Sequence, residues 1–313
     1  MRVMLIVNPF ATATTAAGRD ALVHTLESRF TVDVEHTTHR GHASELGARA
    51  VKEGHDAVLV HGGDGTVNEA VNGMLGAPAA FAAQERPQLG VIPGGSANVF
   101  ARTFGVNADP LVATRQHIGL LESGQHRSIG LAHTADRWFL FNTGMGMDAI
   151  VVREMERKRH AGKAATPSRY LWTTVSSFFA NATNPASFTA HVPGHDPITD
   201  VKFGFVSNTS PWTYLGTREI RTNPGTGFNT GLGLFAATST SVVRNIPLAT
   251  RLLAQRPPKA RHLYRNDDLD WIRFEAETPL DVQMDGDYIG THTELSFGQR
   301  ADAINVVAPV LDS

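Results

Sequence analysis

The 313-residue chain has no cysteine, which excludes disulfide frameworks, thiolate zinc sites and cysteine nucleophiles and leaves the redox compartment undetermined. No apolar run approaches the ~18–20 residues that a bilayer-crossing helix needs. The opening Met1-Arg2-Val3-Met4-Leu5-Ile6-Val7-Asn8-Pro9 is too short an apolar run for a signal peptide and lacks a cleavage-like end, so it reads as a first strand. Excess positive charge is missing too. With 28 Lys and Arg against 30 Asp and Glu the formal charge is −2, and no nucleic-acid partner is expected without a basic field. Two nucleotide signatures are also lacking: there is no Gly-x4-Gly-Lys-Ser/Thr loop, and Gly144-Met145-Gly146 lacks the third glycine of Gly-x-Gly-x-x-Gly. A composition of 42% hydrophobic and 19% charged residues is that of a soluble globular protein. The length suits two domains of ~100–200 residues each. A cytoplasmic protein, touching a membrane at most from one side, is the expectation.

What the chain does contain is glycine turns. His61-Gly62-Gly63-Asp64-Gly65-Thr66-Val67-Asn68-Glu69 follows the apolar run Ala57-Val58-Leu59-Val60, and Val67, Ala70, Val71, Met74 and Leu75 continue at helical spacing. The reading is strand, turn, helix. Three glycines around one aspartate permit left-handed backbone and close approach of a ligand, and the N–H groups at the helix start attract an anion such as phosphate. The same residues also fit a plain alternative, because Thr66 with Glu69 makes a capping box and Gly-Asp-Gly a tight turn. Leu89-Gly90-Val91-Ile92-Pro93-Gly94-Gly95-Ser96-Ala97-Asn98 repeats the design. Two such turns in one parallel sheet point at the same crevice beyond the strand ends.

In chain order, Asn8-Pro9 ends the first strand, and a hydroxyl-rich loop from Phe10 to Thr15 precedes a helix through Leu22, Val23 and Leu26. Thr31 to Thr37 alternates as a strand, with Thr37 at the edge of the glycine turns, and Gly41 to Glu53 carries one helical face. Strand and helix alternating in this way predict βαβ units and a parallel sheet. Gly76 to Pro87 reads as a surface loop, and Leu111 to Leu121 as a helix. Near Gly124 the pattern changes to short strands: Trp138–Phe141, Phe188–Val192, Val201–Ser207, Gly231–Ala236, Leu269–Phe274, Leu280–Met284 and Glu294–Phe297. The expected division is therefore 1–124, an α/β nucleotide-binding domain, and 125–313, a mainly antiparallel domain whose last residues return to the first.

The second part also carries expected helices over Asp148–Arg159, Tyr170–Asn181 and Val242–Gln255. The run Arg153-Glu154-Met155-Glu156-Arg157-Lys158-Arg159 reads first as a solvated helix face. A sharper reading is contact with an anionic lipid surface, using Lys163, Arg169, Arg251, Arg256, Lys259 and Arg261 beside Trp172, Phe178 and Phe179. Near the end, Met284-Asp285-Gly286-Asp287 is a strong hairpin signal. Its carboxylates also suit a general base and a metal partner, since phosphoryl transfer relies on positioning, charge neutralisation and removal of a hydroxyl proton.

These residues together resemble the diacylglycerol kinase catalytic-domain family, which includes bacterial lipid kinases and sphingosine kinases. The resemblance rests on Asn8-Pro9, Gly62 to Thr66 with Asn68-Glu69, Pro93 to Asn98 with Phe100-Ala101-Arg102, Phe141-Asn142 through Gly144, Gly146 and Asp148-Ala149, and Asp285-Gly286-Asp287. It implies an amino-terminal α/β domain like that of phosphofructokinases and NAD kinases, a carboxy-terminal β-sandwich-like domain, and ATP in the cleft between them. It further implies nucleotide contacts from Asn8, Pro9, Thr12, Thr37, Gly62, Gly63, Asp64, Gly65, Thr66, Asn68, Glu69, Ser96 and Asn98. Asp64 would act on magnesium-bound phosphates through water, and Asp285 would be the general base toward a lipid hydroxyl. The implied partners are a lipid substrate and a membrane surface, and a homodimer is compatible with the resemblance.

The chain departs from the family at Val99 and Gly130, where aspartates are common, at Asp287, where glutamate is, and at Thr230-Gly231-Leu232, where Asp-Gly-Leu is. A rearranged metal site and impaired catalysis both remain open. The readings carried forward are an ATP-dependent lipid kinase, a nucleotide- or lipid-binding protein of the same fold without turnover, and a NAD kinase. The Pro-Gly-Gly-Ser-Ala-Asn turn and the late Asp-Gly-Asp stand against the last.

Overall fold

Val3 to Val7 and Ala57 to Gly62 are buried on both faces, the pattern of central strands in a parallel sheet covered by helices on each side. The computed structural model describes residues 1–12, 15–82, 85–146 and 187–309. The chain divides into two compact units, Met1–Leu131 with Asp136–Trp138 and Arg300–Ser313, and Ala132–Ala135 with Phe139–Gln299. The expected helices over Asp148–Arg159 and Tyr170–Asn181 lie outside the described residues, and with them the charge run, Lys163, Arg169, Trp172, Phe178 and Phe179.

The first unit alternates β1 (Arg2–Val7), α1 (Ala16–Glu27), β2 (Thr31–His36), α2 (His42–Lys52), β3 (Ala57–Gly62), α3 (Asp64–Leu75), β4 (Gln88–Pro93), α4 (Val99–Thr103) and α5 (Pro110–Glu122). The strands pair in parallel in the order β4-β3-β1-β2, with Val58 opposite Leu89, Val3 opposite Ala57 and Arg2 opposite Thr31. The chain returns at its end to this sheet, where Val306 pairs in parallel with Leu89. Local chemistry sets the helix starts. Thr15 caps α1 by accepting from the Gly18 amide at 3.1 Å. Asp109 caps α5 by accepting from Leu111 and Val112 at 2.9 and 3.0 Å, with Pro110 at the first helical position, where its missing N–H is not needed.

Helices α2 and α3 cross through glycine. A Cβ on Gly73 would collide with the Ser44 carbonyl and one on Gly47 with the Ala70 carbonyl, so the two backbones meet without side chains between them.

The loop after α3 contains one short 3-10 turn, Pro78–Ala80. β5 (Arg127–His133) and β6 (Trp138–Phe139) follow. The alternation rule misses β5, because Ile129-Gly130-Leu131-Ala132 is a buried continuous run rather than an alternating one.

The second unit is antiparallel. It contains β7 (Asn142–Gly146), β8 (Phe188–His191), β9 (Ile198–Val201), β10 (Phe203–Ser207), β11 (Thr213–Leu215), β12 (Arg218–Ile220), β13 (Leu232–Ala237), α6 (Val242–Leu253), β14 (Leu263–Leu269), β15 (Trp271–Met284) and β16 (Asp287–Val306). Its sheet runs β14-β13-β10-β7-β15-β16. Phe274 anchors its core, with ring centroids 4.7 Å from Phe188 and 5.3 Å from Phe297.

Several expected boundaries shift here. Leu269–Phe274 and Leu280–Met284 belong largely to one long strand, β15, interrupted by a register shift between Glu275 and Leu280. Glu294–Phe297 is the middle of β16. The expected Val201–Ser207 strand is divided at Lys202, with Val201 ending β9 and Phe203–Ser207 forming β10, and β9 itself carries Asp200 at φ 58°, a left-handed residue that sequence alternation does not signal.

Two stability outcomes follow from these contacts. Gly73→Ala should lose about 1–3 kcal/mol through forced separation of α2 and α3. Gly119→Ala, on an open face of α5 with nothing near its Cβ position, should gain about 0.5–1 kcal/mol. Urea unfolding of both variants measures this, and equal effects would refute the glycine crossing.

His117 on α5 is fully buried and its Nε2 donates to the Val91 carbonyl at 2.8 Å, leaving Nδ1 without a partner. Burial pushes its pKa below the usual 6.5, against the pull of that hydrogen bond. The unfolded chain therefore takes up a proton before the folded one does. Stability should be full above about pH 6.5 and fall as the pH drops through that value. His117→Gln, which keeps a donor, should flatten the slope of unfolding midpoint against pH.

Candidate functional site

Because β1 to β4 are parallel, their carboxyl ends share one edge, and the hydrogen-bond ladder runs past the strands there. Thr37 donates its amide to Val7, Asn8 to His61, and Gly94 to Gly62, each at 2.9 Å. This brings together the Asn8 loop, Thr37 and both glycine turns.

The glycines have a different cause from the one expected. None of Gly62, Gly63 and Gly65 has positive φ, and Gly63 sits at φ −90° in extended backbone. Contact between the two turns accounts for the second pair: a Cβ on Gly95 would lie 2.6 Å from the Gly63 Cα, and one on Gly94 would lie 3.1 Å from the Gly62 backbone, while a Cβ on Gly62 would press on the Thr66 side chain at 2.9 Å. The left-handed residue of the pair is Asn98, at φ 47°. Its side chain closes the second turn in both directions, accepting from the Gly95 amide at 2.9 Å and donating to the Gly95 carbonyl at 2.8 Å. The Thr66–Glu69 capping box does not form. Gly63 is the cap residue of α3 and no side chain caps that helix. Thr66 instead accepts from the Asn8 amide side chain at 2.9 Å, while the Asn8 carbonyl oxygen of that side chain accepts from the Phe10 amide at 3.0 Å.

Asp64 joins the two turns. Its carboxylate accepts from the Val99 and Phe100 amides, both at 3.0 Å, and so caps α4 across 35 residues of chain. Burial raises the pKa of this carboxyl, while the amides of Phe100, Val99, Asp64 itself and Asn98 pull it down. Val99, where the family pattern has aspartate, is a buried apolar side chain with 3% exposure. Ser96 and Thr12 are exposed, and Pro9 and Glu69 half-buried.

Asn68 turns away from this edge. Fully buried, it donates to the Trp138 carbonyl at 3.1 Å and accepts from Arg137 at 2.9 Å and Asn72 at 3.1 Å. Asn72 in turn accepts from the Trp138 amide at 2.9 Å. The pair latches residues 136–138 onto α3. Sequence reasoning also passed over His61, which is buried at the end of β3 with its pKa lowered chiefly by burial.

In the second unit, Asp285 and Gly286 are the two central residues of the β15–β16 hairpin, at φ 50° and 83°, as a two-residue turn with both residues left-handed requires. The Asp285 side chain folds inward and is 6% exposed. It accepts three backbone hydrogen bonds, from Leu140 at 2.6 Å, Phe141 at 3.0 Å and Asn142 at 3.1 Å. Gln283 supports the turn from beneath, accepting from the Gly286 amide and donating to the Asn142 side chain, both at 3.0 Å. Gln283 was not singled out from sequence. The signal was a polar residue between Val282 and Met284 in a buried strand.

Among the described residues, Asp33, Glu53 and His55 form one cluster with metal-ligand chemistry. The guanidinium of Arg2 already lies within it, 2.7 Å from Asp33 and 3.3 Å from Glu53, so a cation is present without a metal. His55 and Arg2 hold the Asp33 carboxyl below the usual range.

Comparison with known proteins follows the same residues. The diacylglycerol kinase catalytic domain profile matches residues 2–132. Diacylglycerol kinases of Staphylococcus aureus strains JH9 and Newman are 31% identical over 121 residues, 39% of this chain. The chain covers 35% of the length of those curated relatives. A crystal structure of a diacylglycerol kinase from Bacillus anthracis str. Sterne aligns with TM-score 0.70 at 21% identity, covering 98% of this chain and 96% of that one. A second solved chain from that organism aligns with TM-score 0.76 at 22% identity, over 98% and 97%. The likeness to these structures is one of fold, an amino-terminal α/β part followed by a strand-rich part.

The three amides on Asp285 make a stability outcome. Asp285→Asn turns an NH2 group toward backbone donors and should cost about 1–3 kcal/mol. Urea unfolding checks it, and an unchanged midpoint would show that the three hydrogen bonds are not made.

Proposed function

From a chain whose residues 2–132 belong to the diacylglycerol kinase catalytic-domain family, we propose an ATP-dependent lipid kinase that transfers the γ-phosphate to a lipid hydroxyl, on a diacylglycerol, sphingoid base or related lipid. The observation that carries it is Asp285: a buried carboxyl group held by three backbone amides keeps one fixed orientation, as a group that takes a proton from a positioned hydroxyl must. In this reading the lipid O–H gives its proton to Asp285 as its oxygen bonds to the γ-phosphorus. The bond from that phosphorus to the bridging oxygen breaks, and ADP leaves with the electron pair.

The first unit takes the nucleotide. The uncapped start of α3 offers amides to phosphate, and the exposed hydroxyls of Ser96 and Thr12 are available to it. Asn8, Pro9, Thr37 and Gly62 to Thr66 shape the edge, and Glu69 lies on the second turn of α3. Asn98 and Asn68 act through the turns they hold. The donor set suits magnesium held through water, because Asp64 is a single carboxylate already answering backbone amides, and Mg²⁺ keeps most of its hydration shell and is completed by substrate phosphates. Magnesium, when bound with ATP, neutralises phosphate charge. Peripheral contact with a membrane, a role in phospholipid metabolism and a homodimer belong to this same reading.

The test is transfer of labelled γ-phosphate from ATP with magnesium into a total lipid extract, comparing the protein with Asp285→Asn at a temperature where circular dichroism shows both folded. A labelled lipid is expected, with its rate of formation reduced by about 10²–10⁴-fold in the variant. ATP binding without any labelled lipid would overturn the kinase reading in favour of a binding protein, with the buried Val99 as its cause.

A further inference from the structure

Helix α6 (Val242–Leu253) presents its apolar side to water. Val243 is 78% exposed, Ile246 51% and Leu253 40%. With Pro247, Thr250 and Ala254, all exposed, they recur at three- and four-residue spacing and so form one stripe along the helix. The opposite side is satisfied. Leu248 is buried with Phe203, Phe205 and Phe235, and the buried Asn245 donates to the Ser239 and Ser241 carbonyls, both at 3.0 Å. The stripe is therefore surplus to the core of its own unit.

Charge says what it meets. Arg244 and Arg251, seven residues apart, lie on one flank of the stripe, and Arg256, Lys259 and Arg261 follow just beyond the helix. Arg244, Arg256, Lys259 and Arg261 are exposed. From Ile220 to Asn266 the chain contains no Asp or Glu. An apolar stripe whose own stretch of chain supplies cations and no acid fits an anionic bilayer surface: the aliphatic side chains enter the acyl boundary while the guanidinium groups stay with headgroup phosphates. At 12 residues the helix is too short to cross a bilayer, so it lies in the interface plane.

We propose that α6, with Arg256, Lys259 and Arg261, is the surface through which this protein docks on anionic lipid bilayers. The inference deepens the lipid-kinase reading and rests on it, since an enzyme whose acceptor stays in a membrane must reach that membrane.

The test is co-sedimentation of the full chain with phosphatidylcholine vesicles, with and without phosphatidylglycerol. It compares the protein with Val243→Asp/Ile246→Asp and with Arg244→Glu/Arg256→Glu, all of which change exposed side chains. Binding to phosphatidylglycerol vesicles should weaken with added salt and fall by about tenfold or more in each double variant. Phosphate transfer to diacylglycerol dispersed in detergent should stay within about twofold, because the bilayer is no longer the gate. Equal vesicle binding by the protein and both variants overturns the docking surface while leaving the kinase reading intact. A change from dimer to monomer in Val243→Asp/Ile246→Asp, with vesicle binding unaltered, assigns the stripe to a second copy of the chain and also overturns it. Loss of transfer in detergent by the unaltered protein counts against the kinase reading, and its vesicle binding still decides the role of α6.

Discussion

A carboxylate taken away from bulk water demands hydrogen-bond donors, and this protein meets that demand with backbone amides. Asp64 draws the Val99 and Phe100 amides to itself. Asp285 draws those of Leu140, Phe141 and Asn142 from more than 140 residues away in sequence. Each carboxyl answers more than one amide, and each pins a segment of its own unit. The first fixes the start of α4 against the start of α3. The second fixes the entry to β7 against the β15–β16 hairpin.

The same economy explains the glycines where the two turns meet. Two strand-ending turns can be clamped by one aspartate only if their backbones nearly touch, and Gly94 and Gly95 leave that contact open, since a Cβ on either would press on the Gly62 or Gly63 backbone. The α2–α3 crossing at Gly47 and Gly73 repeats the principle a layer away. Close approach, rather than left-handed backbone, is the reason for glycine at Gly47, Gly73, Gly94 and Gly95. The left-handed conformation falls instead to Asn98 and Asp285, whose side chains bond to nearby backbone and tolerate it.

Polar residues that look like ligand contacts in a linear motif divide accordingly. Asn8, Asn68 and Asn98 are engaged by Thr66, by residues 137–138 with Asn72, and by Gly95. Ser96 and Thr12 are left facing solvent. For the first group, a substitution acts on a ligand through the turn that the residue holds.

The sequence by itself determined the alternation of strand and helix in the first unit, the antiparallel character of the second, the likeness of residues 2–132 to the diacylglycerol kinase catalytic domain, and the Asp285–Gly286 hairpin. All of these are encoded in short-range periodicity and turn chemistry, which neighbouring residues settle among themselves. Only the tertiary structure decided that Asp64 caps a distant helix, that Asn68 serves Trp138, that β5 joins the sheet, and that the outward stripe of α6 is surplus to its core. Those outcomes depend on which backbone donors, carbonyls and apolar faces the fold brings within a few ångströms of one another, and sequence spacing carries no record of that.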